Sequence, residues 1–155
     1  RLADWAVVRT TLVLGAPAGA HVRPDFVRWL VAELSAGRRV RVAGDQWRTP
    51  TYDRDLADGV ARVVRFGKTG LFHVAGREWT TPLDLARLTA SVFGLDARLI
   101  TPATTAELHP GAPRPLRAGL LILRAESELG YRPRSLRAAL ADLRARLAVG
   151  IARDG

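Results

Sequence analysis

The segment Trp5–Leu14, with the sequence WAVVRTTLVL, constrains the fold of this 155-residue chain more than any other feature. Apolar residues occupy both alternating sets of positions, so both faces of the predicted strand need to be buried. Such strands belong to parallel sheets with helices on both faces, and each parallel neighbour arrives through a crossover connection. Because little sequence precedes Trp5, and because the chain begins at Arg1 and contains no methionine, we expect it to be the back half of a larger α/β protein.

The remainder of the chain alternates predicted helices and strands, which is the order of an α/β protein. Apolar residues at helical spacing follow predicted helix caps at Asp25, Thr81 and Ser135, and a further helix is predicted with Asp53 and Asp55 in its first turn. In that further helix the predicted buried stripe is Leu56, Val60, Val63 and Val64. Short strands are predicted at 39–43, 70–75 and 97–101, and 116–123 fits either a strand or a helix.

Composition narrows the functional classes. The chain has no cysteine, which excludes disulfides and cysteine-ligated zinc, and no run of about 20 apolar residues that could span a bilayer. With no signal-peptide pattern at its start, we expect a cytoplasmic protein. The net charge of +9 raises the hypothesis of nucleic-acid binding, but the arginines are dispersed and few aromatic residues lie between them.

Several catalytic patterns are absent from the sequence. No glycines have the G-x-G-x-x-G spacing that cradles a dinucleotide pyrophosphate. Neither tyrosine has a lysine one helical turn later, as a tyrosine-lysine proton relay requires. The histidines lack the spacing of a helical metal site, and His73 lies in a predicted strand where a structural role is favoured. We therefore predict no catalytic residue and no metal ligand in this chain.

Two loops carry the candidate binding residues. The loop from Asp45 to Tyr52 concentrates polar and aromatic groups directly after a predicted strand, which is where open α/β sheets bind ligands. Arg114 lies between Pro113 and Pro115, so its guanidinium could face a diphosphate at little conformational cost, although a surface ion pair is the simpler interpretation.

The order of these segments resembles one family. VVRTTLVLG, at 7–15, resembles the R-T-x-x-x-x-G strand and loop of extended short-chain dehydrogenase/reductases. DQWRTPTYDRDLA, at 45–57, is similar to the D-Q-x-x-x-P-T-Y-x-x-D-L-A signature of their dTDP-4-dehydrorhamnose reductase branch. FHVAG at 72–76 and LGYRPRSLRAAL at 129–140 resemble the strand after the crossover helix and the C-terminal close.

The resemblance implies a fold and a place within a larger protein. Residues 1–155 would be the C-terminal, substrate-binding portion, with the last strands of a Rossmann-type parallel sheet and a small α/β lobe. The NAD(P)-binding part, with its glycine-rich loop and catalytic Ser, Tyr and Lys, would precede this chain. The parent would be an NADH- or NADPH-dependent oxidoreductase that reduces the 4-keto group of a nucleotide diphosphosugar, while this chain alone would be inactive.

The resemblance also assigns residues. The implied substrate-binding residues are Thr11, Leu12, Gln46, Arg48, Thr51 and Arg114, and those near the cofactor are Thr10 and Thr11. Leu12 departs from the pattern, which has an aromatic residue there. An epimerase or dehydratase of the same fold, a non-catalytic regulatory homologue and a basic nucleic-acid-binding domain remain as alternatives, and a homodimer is compatible with the resemblance.

Overall fold

The chain folds as a mixed α/β structure built on parallel strand pairs, as predicted. A computed structural model describes residues 4–16, 24–109, 111 and 114–151, with the side chains of 149–151 excepted. Strand β1 (Ala6–Arg9) pairs in parallel with β5 (Gly70–His73), β2 (Val13–Leu14) with β4 (Thr51–Tyr52), and β3 (Val40–Ala43) with β6 (Ile100–Ala103). Every pairing joins strands that are distant in sequence, with a helix between them.

Two of the helices begin directly after their predicted capping residues. Helices α1 (Phe26–Ser35) and α3 (Pro82–Phe93) are capped by the side chains of Asp25 and Thr81. The others are α2 (Asp53–Arg65), α4 (Thr105–Leu108), α5 (Leu123–Leu129) and α6 (Leu136–Ile151), and a 3₁₀ turn spans Ala97–Leu99. The predicted capping box at Thr104 is formed with Glu107, whereas 116–123, left open between strand and helix, is mostly irregular before α5 begins.

The prediction of one continuous strand over Trp5–Leu14 is wrong. Thr10, Thr11 and Leu12 interrupt it, and Leu12 has a φ of +35°. Burial of both faces is also not observed among the described residues, because Trp5 and Val7 are about half exposed. Val8 on the other face packs beneath the sheet against the core around Phe72. The predicted loop 15–24 lies largely outside the described residues.

The predicted buried stripe of α2 needs a correction. Val63 is buried and Leu56 packs against the core, but Val60 and Val64 are exposed. The buried face instead includes Gly59, where an added Cβ would lie 2.4 Å from Val74 Cγ1. The helix therefore approaches the residue that follows β5 through a glycine, while Val60 and Val64 lie on its exposed side.

Three apolar clusters hold the elements together. One surrounds Leu14, Leu85 and Leu140, a second lies between α1, α3 and the β3–β6 pair, and the third surrounds Phe72 and Tyr131. Helix α3 contributes to the first two clusters and so links α6 to the small β3–β6 lobe. Within the described part of the chain, no helix is both long and apolar enough to cross a bilayer.

Candidate substrate-binding site

The candidate site lies where the carboxyl ends of β1 and β5 meet the loop between β3 and β4. Thr51 donates its amide hydrogen to Leu12 O at 3.0 Å, which fixes the end of this loop beside the turn that follows β1. Gly76, just beyond β5, lies so close to the loop that an added Cβ would be 2.0 Å from Pro50 O. The loop is thus held against two strand ends, the position at which α/β sheets bind ligands.

One end of the loop brings Gln46 and Arg48 together. Arg48 Nη2 donates to Gln46 Oε1 and to Pro115 O, both at 3.0 Å, and Arg48 Nη1 donates to Trp47 O at 2.8 Å. These bonds fix the plane of the guanidinium against the segment that contains Arg114. Because Gln46 Oε1 accepts from Arg48, the group that Gln46 can offer to a ligand is its Nε2 amide donor.

The charges of this cluster are of one sign. Burial lowers the pKa of Arg48, and the positive charge of Arg114 lowers it further. Among the ion pairs formed by the described residues, none includes Arg48 or Arg114, so the surface ion pair considered for Arg114 is not observed there. Two guanidiniums of like charge that form no ion pair within the described part of the chain are suited to bind an anion with several oxygens.

The other end of the loop brings Thr10, Thr11, Leu12 and Thr51 together. The Thr51 side chain is fully buried, and its hydroxyl donates to Thr11 O at 2.7 Å and accepts from Thr10 Oγ1 at 3.1 Å. Leu12 is the one non-glycine residue with positive φ among those described, a conformation that costs an L-residue roughly 1–2 kcal/mol. Such strain is often found at functional sites.

Sequence reasoning did not single out Arg146, which forms a polar cluster with Tyr52, Asp53 and Asp142. Arg146 Nη1 donates to Asp53 Oδ1 and to Tyr52 Oη, both at 2.8 Å, and Nη2 donates to Ala16 O at 3.1 Å. Tyr52 Oη in turn donates to Asp142. These bonds raise the pKa of Arg146, and they tie α6 to the start of α2 directly behind Thr51.

Two aspartates of α2 form ion pairs with arginines. Asp55 accepts from Arg134 N at 2.8 Å and from Arg134 Nη1 at 2.6 Å, and Asp58 accepts from Arg62 at 2.7 Å. The spacing of these acidic residues is visible in the sequence. Arg134, the partner of Asp55, is however distant along the chain. Over the described residues, no cluster of acidic and histidine side chains is arranged to hold a metal ion.

Trp47 and Trp79 mark a second surface. Trp47 forms an isolated parallel β-bridge with Arg117, and Arg48 forms an antiparallel β-bridge with Thr80. Because successive residues of an extended segment point to opposite faces, the side chains of Trp47 and Arg48 lie on opposite faces of it. Trp47, Trp79 and Arg117 line a cavity of about 330 Å³. Arg117 is therefore close to Arg114 in sequence but belongs to a different face.

Residues 1–149 match the family model described as the RmlD substrate binding domain. The chain belongs to the RmlD substrate-binding domain family. The chain is 33% identical to the "Probable low-salt glycan biosynthesis reductase Agl14" of Haloferax volcanii, over 92% of its own length and 47% of the relative. It is 32% identical to the dTDP-4-dehydrorhamnose reductase of Mycolicibacterium smegmatis, over 98% of its length and 45% of the relative.

The fold of this RmlD-family chain is also found in solved structures. The NADP complex of the dTDP-4-dehydrorhamnose reductase from Bacillus anthracis superposes with a TM-score of 0.79 at 20% sequence identity. The match covers 89% of this chain and 47% of that one, and at this identity it shows the fold alone. The chain spans about half the length of the relatives that it matches.

Proposed function

We propose that the full-length protein is an NAD(P)H-dependent reductase that acts on the 4-keto group of a nucleotide diphosphosugar, with this chain as its sugar-nucleotide-binding portion. Membership of the RmlD substrate-binding domain family supports the proposal, as do the reductase names of both relatives. In the reaction a hydride is added to the carbonyl carbon and a proton to its oxygen, which converts the ketone to an alcohol. No residue of this chain is assigned to either transfer.

The observation that carries the proposal is the hydrogen bond from Arg48 to Pro115 O, which holds the Arg48 guanidinium beside the segment that contains Arg114. A diphosphate would replace the mutual repulsion of the two arginines by attraction, and it has enough oxygens to accept from both guanidiniums. Gln46 is fixed next to Arg48 and would donate its amide to the same ligand. Thr11 and Leu12, at the end of β1, would then be placed against the sugar.

The cofactor would reach this chain only at the end of β1. A bound NADH or NADPH would supply the hydride. Thr10 is exposed there and Thr11 is half-buried, so both can face a ligand held mainly by the preceding portion of the protein. That portion would also cover the open side of β1, where Trp5, Val64 and their neighbours line a cavity of about 450 Å³.

The proposal also covers the location, the partners and the assembly of the full-length protein. We place the enzyme in the cytoplasm, with no nucleic-acid partner. A homodimer is the assembly to test first, by sedimentation of the full-length protein. Residues 1–155 are proposed to be its C-terminal, substrate-binding portion.

The decisive experiment is titration calorimetry on the full-length protein with Arg48→Ala, Arg114→Ala and Gln46→Ala. Each variant should bind the nucleotide sugar about 10- to 100-fold more weakly than wild type, because each loses a charged or amide donor, while NAD(P)H affinity stays unchanged. Arg117→Ala is the matched control, since it removes a nearby arginine from the opposite face. Equal losses of both affinities, or a loss in Arg117→Ala of the same size, would reject the assignment.

Turnover separates the remaining alternatives. A reductase oxidises one NAD(P)H for each sugar reduced, whereas an epimerase or a dehydratase consumes no net reduced cofactor. A regulatory homologue would bind the nucleotide sugar without turnover. DNA binding that weakens steeply with salt would indicate a nucleic-acid-binding protein instead.

A further inference from the structure

We propose that Thr51 is a positioning residue that holds Leu12 in its left-handed conformation and thereby shapes the subsite for the sugar ring. The inference rests on the proposed function and adds a residue that acts on the substrate only through its neighbours. The resemblance places Thr51 among the substrate-binding residues. Because Thr51 is fully buried, it does not contact a ligand directly.

The contacts of Thr51 are directed at three consecutive residues. Its hydroxyl hydrogen goes to Thr11 O at 2.7 Å, its oxygen accepts from Thr10 Oγ1 at 3.1 Å, and its amide donates to Leu12 O at 3.0 Å. A hydroxyl has one hydrogen to donate, so this donor is already used within the protein. Thr51 therefore fixes the turn between β1 and β2 from one side.

The turn has a conformation that a leucine does not adopt without support. At a φ of +35°, the Cβ of Leu12 is crowded against its own backbone, and a free chain would relax to negative φ. The parallel pairing of Val13 with Thr51 holds the residue that follows, so both flanks of Leu12 are restrained by the same partner. Removal of the Thr51 hydroxyl would release the Thr11 side of this clamp.

The conformation of Leu12 decides where its side chain lies. Leu12 is half-buried, so one part packs on the core around Leu14 and another part remains accessible beside Thr11. That accessible part lies at the carboxyl end of β1, where the proposed sugar subsite is. A change of φ would move an apolar wall of the subsite, and a displacement of about 1 Å in such a position can reduce activity by about 100-fold.

The test uses steady-state kinetics of the full-length enzyme carrying Thr51→Val, Thr51→Ser or Thr89→Val. Thr51→Val should lower kcat/KM for the nucleotide sugar by about 10- to 100-fold. Thr51→Ser keeps the hydroxyl and should recover most of the activity. Thr89 is an equally buried threonine in α3 whose hydroxyl donates to Leu85 O at 2.8 Å, so Thr89→Val makes the same chemical change away from the site.

A double-mutant cycle with Leu12→Gly isolates the mechanism, because glycine adopts positive φ without strain. If Thr51 acts through Leu12, then Thr51→Val should lower kcat/KM by less than about twofold in the Leu12→Gly background. A full additive loss in that background, or equal loss in Thr89→Val and Thr51→Val, would overturn the inference.

A crystal structure of Thr51→Val provides a readout that does not depend on activity. It should show Leu12 at negative φ, and an unchanged Leu12 would overturn the inference even if activity fell. Failure of the wild-type enzyme to reduce any nucleotide-linked keto sugar would instead count against the proposed function, while the crystallographic result would still decide the role of Thr51.

Discussion

Arg146 and Arg48 are both partly buried arginines, but their charges are balanced in different ways. Arg146 donates to Asp53, and its pKa is raised. Arg48 donates to Gln46 and to main-chain carbonyls, and burial and Arg114 lower its pKa. The first arginine is neutralised within the fold. The second has its geometry fixed by hydrogen bonds while its charge is left uncompensated, which distinguishes an arginine that holds the structure from one prepared for an anion.

The largest effect is expected from Gly76→Ala. This substitution tests whether the close approach of Gly76 to Pro50 holds the loop that bears Arg48. The new Cβ would lie 2.0 Å from Pro50 O, so main chain must move. Urea denaturation should show the free energy of unfolding reduced by about 3 kcal/mol, with nucleotide-sugar affinity lost as the loop shifts. Gly111→Ala is the control, because no described atom lies within 4 Å of a Cβ there. Wild-type stability in Gly76→Ala would contradict the close approach.

A smaller loss of stability is expected from Arg146→Ala. The variant leaves Asp53 and Tyr52 without their charged donor, and we expect the free energy of unfolding to fall by about 2 kcal/mol in urea denaturation. Affinity for the nucleotide sugar should not change. Arg98→Ala removes a well-exposed arginine paired with Asp96 and should leave stability unaffected. If Arg146→Ala weakened ligand binding without destabilising the protein, the contrast with Arg48 would be lost.

Arg48→Lys sharpens the comparison further, because it keeps the charge and removes the planar fork. Lysine cannot reach Gln46 Oε1, Pro115 O and Trp47 O in the same way, so its charge would no longer be oriented. Calorimetry should show nucleotide-sugar binding about tenfold weaker, equivalent to about 1.4 kcal/mol. Arg117→Lys should bind normally. Full affinity in Arg48→Lys would mean that charge alone is sufficient.

The smallest effect concerns acid stability of the Arg146 cluster. The hydrogen bond from Tyr52 holds the pKa of Asp142 below its usual 3.8. A lowered pKa in the folded state contributes stability that is complete above pH 3.8 and is lost as the pH falls through the folded value. Denaturation at a series of pH values should therefore show a shallower acid decline in Asp142→Asn than in wild type.

Tyr52→Phe serves as the control for this pH dependence. It removes the donor and should flatten the same part of the profile. Identical acid declines in wild type and both variants would show that Asp142 does not contribute.

Helix boundaries were predicted well from the sequence because their signals are local. Asp25, Thr81 and Thr104 each cap the helix that follows through a residue two or three positions away. The break at Leu12 was not predictable in this way. It depends on Thr51, about 40 positions away, and an apolar alternation continues across it unchanged. The exposed valines of α2 were missed for a similar reason, since Gly59 faces the core only because Val74 and Tyr131 approach there.

The two loops of the candidate site were chosen from the sequence, and the binding roles of their residues remain predictions. The concentration of polar groups at 45–52 and the proline-flanked Arg114 marked both loops, and the structure bonds Arg48 to Pro115, the residue next to Arg114. The sequence could not distinguish Gln46, which borders the site, from Thr51, whose hydroxyl is used inside the protein. Arg146 carried no local signal, because its partners belong to the start of α2 and to Ala16.

The parallel register of Ala6 with Gly70 has a consequence for biosynthesis. On the ribosome, β1 emerges first and has no partner in this pair until β5 has been translated. Contacts of such high sequence separation slow folding, since a long loop must close before any bond is gained. Nascent β1 would therefore wait with the amides of its β5 edge unpaired, and chaperone capture during synthesis should concentrate on that interval.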